Sequence, residues 1–153
     1  MSVTYSLDDL LQQETDLQFS SFDNKTAWLL GCKLKQLAEQ QNANVAIEVY
    51  AFNQTLFSYA MPATHLDNHD WIKRKRQTVL RFGHSSYYIG RYNDSKKRVF
   101  EQQAHIDPFE YCAHGGAFPI RIKNSGLIGV VIVSGLPQQQ DHQMVIEAIS
   151  SLI

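Results

Sequence analysis

The chain has 153 residues, is 44% hydrophobic and 11% aromatic, and carries a net charge of −1. That is enough apolar side chain for one ordinary core and too much for a disordered chain, and the length suits a single domain spanning 1–153. No apolar run approaches the ~20 residues that cross a bilayer, so no membrane role is expected.

The opening residues, MSVTYSLDDLLQQE, lack the basic start and apolar run of a secretory signal. The two cysteines, Cys32 and Cys112, lie far apart and form no CxxC pair. A reduced, cytoplasmic protein with two buried thiols is the simplest expectation. A short helix is predicted over 5–14, with Ser6 as its cap, Asp8 and Asp9 in the first turn, and Leu7, Leu10 and Leu11 on one face. Leu17-Gln18-Phe19 is a brief strand. Ala27, Leu30, Leu34, Leu37 and Ala38 recur at helical spacing and predict a helix from Asp23, its cap, to Gln41. Val45–Phe52 reads as a strand that is apolar on both faces, so layers are expected above and below it. Asn53-Gln54 would turn the chain into a returning strand, Thr55–Ala60.

Met61-Pro62 ends that strand, and a polar loop, His65–Asp70, leads into a helix predicted over 70–82. Trp71, Ile72, Val79 and Phe82 are expected inside, with Lys73, Arg74 and Arg76 mostly outside. Gly83 interrupts this helix. Ser85–Tyr92 and Ser95–Gln103 are both read as helical, and Asp107-Pro108 is a boundary. Ala117–Ile122 is a strand whose Pro119 suits an edge. Lys123-Asn124-Ser125-Gly126 forms a hairpin loop. Leu127–Ser134 offers no polar face and should be central. Asp141 caps or opens a last helix with Met144, Val145, Ala148, Ile149 and Leu152 as its buried stripe. Tight turns between neighbouring strands give an antiparallel sheet, and helices before, between and after it can cover both faces. The expected fold is therefore a three-layer α/β/α sandwich.

Five of the eight glycines fall within 111–136, around the second hairpin. Candidate ligand contacts sit at its two ends. Gly115 and Gly116 would let backbone N–H groups approach a ligand, with His114 beside them as a nitrogen ligand or proton-transfer group. The same triplet also reads as a plain turn before an edge strand. Ser134 and Gly135 close the central strand, where Ser134 either donates to a ligand or caps the strand end. No GxSxG motif surrounds Ser134, so an activated serine is not expected.

These blocks carry a resemblance. AHGGAFPI at 113–120 and GVVIVSGLPQQQDH at 129–142, with FSYAMP at 57–62, DNHDWIKRKR at 67–76 and SSYYIG at 85–90, resemble the haem-degrading-domain superfamily of HbpS-like and GlcG-like proteins. The match is to its uncharacterised small-protein branch and spans roughly 20–153. The resemblance implies a profilin-like sandwich with a central antiparallel sheet and assembly as a homo-oligomer. It also implies a small ligand, with haem or a related tetrapyrrole as the leading candidate and His114, Gly115, Gly116, Ser134 and Gly135 as its contacts.

Other clusters read more blandly. His65 and His69 lie four apart, but no third metal ligand accompanies them, so no metal is assigned and Asp67 or Asn68 is read as a helix cap. Charge is segregated: residues 1–72 carry three basic and nine acidic side chains, 73–98 nine and one, and 99–153 two and five. With Tyr87, Tyr88 and Tyr92 nearby, the basic block could grip anionic groups, including the propionates of a tetrapyrrole, or dock an acidic face of another subunit. The near-neutral whole argues against nucleic acid. Cys112, two residues from His114, is a weak thiol candidate. The competing reading is an oligomeric assembly or adaptor protein without small-molecule chemistry, and whether any catalysis occurs is left open.

Overall fold

The structure is a computed structural model that describes residues 4–153. In chain order the elements are α1 (Leu7–Asp16), α2 (Asn24–Gln40), β1 (Ala46–Ala51), β2 (Gln54–Ala60), α3 (Leu66–Phe82), α4 (Ser86–Ser95), a 3-10 turn (Phe100–Gln102), β3 (Ala117–Ile122), β4 (Gly126–Ser134) and α5 (Gln138–Ser150). The four strands form one antiparallel sheet in the order β2-β1-β4-β3. The α/β fold with a central antiparallel sheet is as expected, and no helix among the described residues is long and apolar enough to cross a membrane.

Local chemistry sets these boundaries. Ser6 and Asp9 satisfy each other's backbone N–H groups and start α1, and Asp23 and Thr26 do the same for α2. β1 and β2 turn through Phe52-Asn53, one residue earlier than predicted. Both residues have positive φ, as a tight hairpin matched to strand twist requires.

One sheet face carries Ile47, Val49, Phe118, Ile120, Val131 and Val133, covered by the stripes of α2 and α5. The other carries Ala46, Ala117, Val130 and Ile132, under Ile72 and Val79 of α3. A fully buried Leu or Ile side chain of this kind contributes roughly 1.5–3 kcal/mol. β4 is the central strand and β3 an edge, as predicted, with Pro119 on it. The β3 edge is covered by Phe19, whose N–H donates to the Arg121 carbonyl while its own carbonyl accepts from Lys123 N–H. Glu14 of α1, 6% exposed, ties the same region together by accepting from Ser85 N–H and facing His84 Nδ1 at 3.0 Å.

Several expectations are corrected. The α3 helix begins at Leu66, not near Asp70, because Asn68 Oδ1 accepts from His65 N–H and fixes the start four residues earlier. Ser95–Gln103 is not a helix. Lys97 adopts a left-handed conformation, φ 56°, and only the 3-10 turn follows. The side chains of Arg98 and Gln103 instead donate to Asn93 Oδ1. Leu152 lies beyond α5 and is exposed rather than part of its buried stripe. Asp141 does not cap α5. Pro137 holds that place, and Asp141 is buried in the first turn.

Candidate functional site

A cleft of about 220 Å³ opens where β4 ends. Its wall comes from three segments that the fold brings together. Asp67, Asn68, Trp71 and Lys75 follow one another at helical spacing along a single face of α3. Ser134, Gly135 and Leu136 form the exit from β4, with Gln138 and Asp141 in the first turn of α5. His114 closes the side next to β3.

The floor follows from a mismatch in strand pairing. β3 pairs with β4 only from Ala117, opposite Ile132, and Gly116 turns away with φ 131°. The Val133 carbonyl therefore has no ladder donor from β3. Lys75 supplies one: its Nζ lies 3.0 Å from Val133 O and 3.2 Å from Asp141 Oδ2. The two side chains are 3% and 2% exposed, so this is a buried ion pair. Asp141 also accepts from Gly135 N–H at 3.3 Å and Leu136 N–H at 2.9 Å. Burial raises the Asp141 carboxyl to about 6, and Lys75 with the two backbone donors limits the rise. A methyl group on Gly116 would lie 2.7 Å from Lys75 Nζ, so only glycine leaves room for the pair.

His114 packs edge-on against Trp71, with ring centres 5.0 Å apart, and Arg74 covers Trp71 at 4.2 Å. Burial lowers the His114 pKa, so the imidazole is neutral at pH 7. On its other side His114 lines a smaller cavity of about 120 Å³ with Glu101 and Ala113, so it forms part of the wall between two chambers. Two amides are locked in orientation. Gly115 N–H donates to Gln138 Oε1 and His65 N–H to Asn68 Oδ1. Each side chain must therefore present its NH₂ elsewhere, and Asn68 Nδ2 reaches the Ser134 carbonyl at 3.4 Å.

Of the residues expected at the site, His114, Ser134 and Gly135 line the cleft, and Gly115 and Gly116 form the backbone behind it. His65 lies at the α3 N-cap and His69 in its first turn. The Cys112 thiol is 1% exposed and pushed up to about 11, principally by burial, which removes it as a nucleophile. The basic block does not act as one surface. Arg76 pairs with Glu48, Lys73 with Glu110, and Lys75 turns inward. Sequence reasoning missed Lys75. Its signal was its place between Ile72 and Val79, in the inward register of α3.

The chain resembles known proteins over nearly all its length. Residues 22–150 match the family model described as haem degrading protein HbpS-like. A UPF0303 protein of Psychromonas ingrahamii is 70% identical over 153 residues, covering 100% of this chain and 96% of that one. Among solved structures, the Ybr137w protein superposes with a TM-score of 0.89 at 30% identity, covering 98% of this chain and 88% of that one. A PduOC–haem complex superposes at 0.71 with 17% identity, covering 87% and 94%, and at that identity shows a shared fold alone. On the family model and the full-length relatives together, the chain belongs to the family of HbpS-like haem-degrading proteins, in its UPF0303 branch.

Proposed function

We propose that the chain binds a small polar molecule in the cleft between α3, the end of β4 and the start of α5. The observation that carries this reading is the buried Lys75–Asp141 pair on the floor of an open cleft. Burying two charges costs several kcal/mol per ion before their attraction offsets it, and an apolar pair of similar volume is often at least as stable. An ion pair held beside an opening is better accounted for by what enters the opening.

The tetrapyrrole expected from the resemblance fits less well inside one chain. Ligand pockets for drug-sized molecules run from about 300 to 1,000 Å³. This cleft is about 220 Å³, and only Trp71 and Leu136 among its lining residues are large and apolar. A haem macrocycle would have to be held outside the cleft, where the neutral His114 imidazole at the wall is the residue that would supply a nitrogen ligand. The haem bound in the PduOC complex, which shares this fold, keeps this second reading in view.

Haemin titration of the wild type and His114→Ala, followed at the Soret band, separates the two readings. Native mass spectrometry of the purified protein is run alongside. A small co-purified mass that Trp71→Ala releases, with no Soret change, supports the small polar ligand. A Soret shift lost in His114→Ala supports the tetrapyrrole instead. Self-association, also expected from the resemblance, is supported by the unpaired outer edge of β2 and by Trp28, Leu29, Phe52 and Tyr59, exposed between 37% and 60%. A monomer by light scattering would overturn that part.

A further inference from the structure

The donors and acceptors around the cleft are unbalanced, and the imbalance names a ligand class. This step rests on the small-ligand reading above. Lys75 Nζ carries three N–H donors, of which Val133 O and Asp141 Oδ2 take two. The Gln138 amide is held with Oε1 on Gly115 N–H, so its NH₂ is the free end. Asn68 is fixed in the same sense by His65 N–H and has an N–H left beyond the one directed at Ser134 O. Both Asp141 oxygens are occupied, by Lys75 and Gly135 on one side and Leu136 on the other. Among the lining carboxylates only Asp67 remains, and it is exposed at the rim. The first turn of α5 also faces the cleft through Gln138, and the positive end of a helix dipole favours an anion there.

Set against these donors are two apolar walls, Trp71 and Leu136. A bare inorganic oxyanion would use the donors and leave unused the part of the indole that lines the cleft beyond its contacts with His114 and Arg74. We propose that the cleft binds a small organic carboxylate, its oxygens on Lys75 Nζ and the Gln138 and Asn68 amides and its carbon skeleton against Trp71.

The test uses the full chain carrying Trp28→Phe, which leaves Trp71 as the single tryptophan and its emission as a reporter of the cleft. The probes are lactate and benzoate, their neutral amides lactamide and benzamide, and inorganic phosphate. The carboxylates should change Trp71 emission saturably, and the amides should bind at least about tenfold more weakly, as expected when hydrogen bonds to a charged group become neutral ones. Gln138→Glu keeps an acceptor for Gly115 N–H but places a negative charge among the donors. It should weaken the carboxylates by a similar factor at an unchanged melting temperature. Amides that bind as well as carboxylates, or an unaffected Gln138→Glu, overturn the carboxylate class while leaving a small-ligand cleft standing. Phosphate binding without carboxylate binding overturns the organic ligand. Failure of every probe to move Trp71 overturns the carboxylate class, and the cleft reading beneath it falls separately if no co-purified mass is released by Trp71→Ala.

Discussion

His142 should make the fold sensitive to mild acid, and the size of the effect can be worked from its surroundings. The residue follows Asp141 on α5 and is fully buried. Nε2 lies 2.8 Å from Gln13 Oε1, which assigns the proton to Nε2, while Nδ1 has no partner among the described residues. Tyr5, Tyr87 and Phe118 surround the ring at 5.0 to 6.1 Å. Burial alone lowers its pKa from 6.5 to about 4. The folded state thus binds fewer protons than the unfolded state between those values, and stability falls as pH drops through 6.5 towards 4. From pH 7 to pH 5 the loss is roughly 2 kcal/mol, rising to about 3 kcal/mol near pH 4. The raised pKa of Asp141 acts in the opposite direction over the same range, because its protonation on acidification is favoured in the fold. The wild-type pH profile alone would therefore mix two terms of opposite sign. Comparison with His142→Gln removes the shared Asp141 term. Urea denaturation of both proteins at equal concentration, at pH 7 and pH 5, should show the stability gap moving by roughly 2 kcal/mol in favour of the variant at pH 5. A gap that stays constant between the two pH values would refute a neutral, unsolvated His142.

Two further outcomes follow from the same geometry. Lys75→Met alone leaves the Asp141 carboxylate buried without a counter-ion and should cost about 3–5 kcal/mol, whereas Lys75→Met with Asp141→Asn should recover part of it, since Asn can still accept from Leu136 N–H while the Val133 carbonyl stays without its Lys75 donor. Additive losses in that double-mutant cycle, read by chemical denaturation, would show that the two residues are not coupled. With a thiol reagent at neutral pH, the folded chain should titrate through the partly exposed Cys32, and Cys112 should react only after unfolding. Prompt labelling of both thiols would contradict the burial of Cys112.

Much of the fold was legible because local and global signals agreed. The capping pairs Ser6/Asp9 and Asp23/Thr26 and the stripe of α2 are written in adjacent residues, and β4 declared itself central by having no polar face. The start of α3 was obscured because its stabilising side chain, Asn68, comes after the cap rather than at it. The supposed helix over 95–103 looked continuous because helical propensity does not register where a side chain such as Arg98 finds a stronger partner in Asn93. At the site, the glycines and His114 could be singled out from sequence, since close backbone approach leaves glycine as its mark. Lys75 could not be told from Lys73, Arg74 and Arg76 by type, and only its register within α3 separates it. Its partner Asp141 lies 66 residues away, a pairing that no local pattern contains.

The cleft and the sheet's own hydrogen bonding are one problem with one solution. β4 runs two residues past the start of its pairing with β3, and Gly116 turns the neighbouring chain aside, which leaves the Val133 carbonyl and the Gly135 and Leu136 amides to be satisfied. An unpaired buried backbone group costs about 1–3 kcal/mol, so some polar side chain had to reach this point from α3 and another from α5. Neutral groups could have served: an amide at 75 could donate to Val133 O, and an asparagine at 141 could accept from both amides. The chain instead uses an ammonium and a carboxylate, each at a cost in desolvation that a neutral pair avoids. What the charged pair adds is a strong, fixed donor beside an opening lined by two oriented amides and an indole. The structural demand explains why polar atoms sit at the end of β4. On the reading proposed above the choice of charge would serve a ligand with an anionic group, and the carboxylate–amide comparison tests that reading.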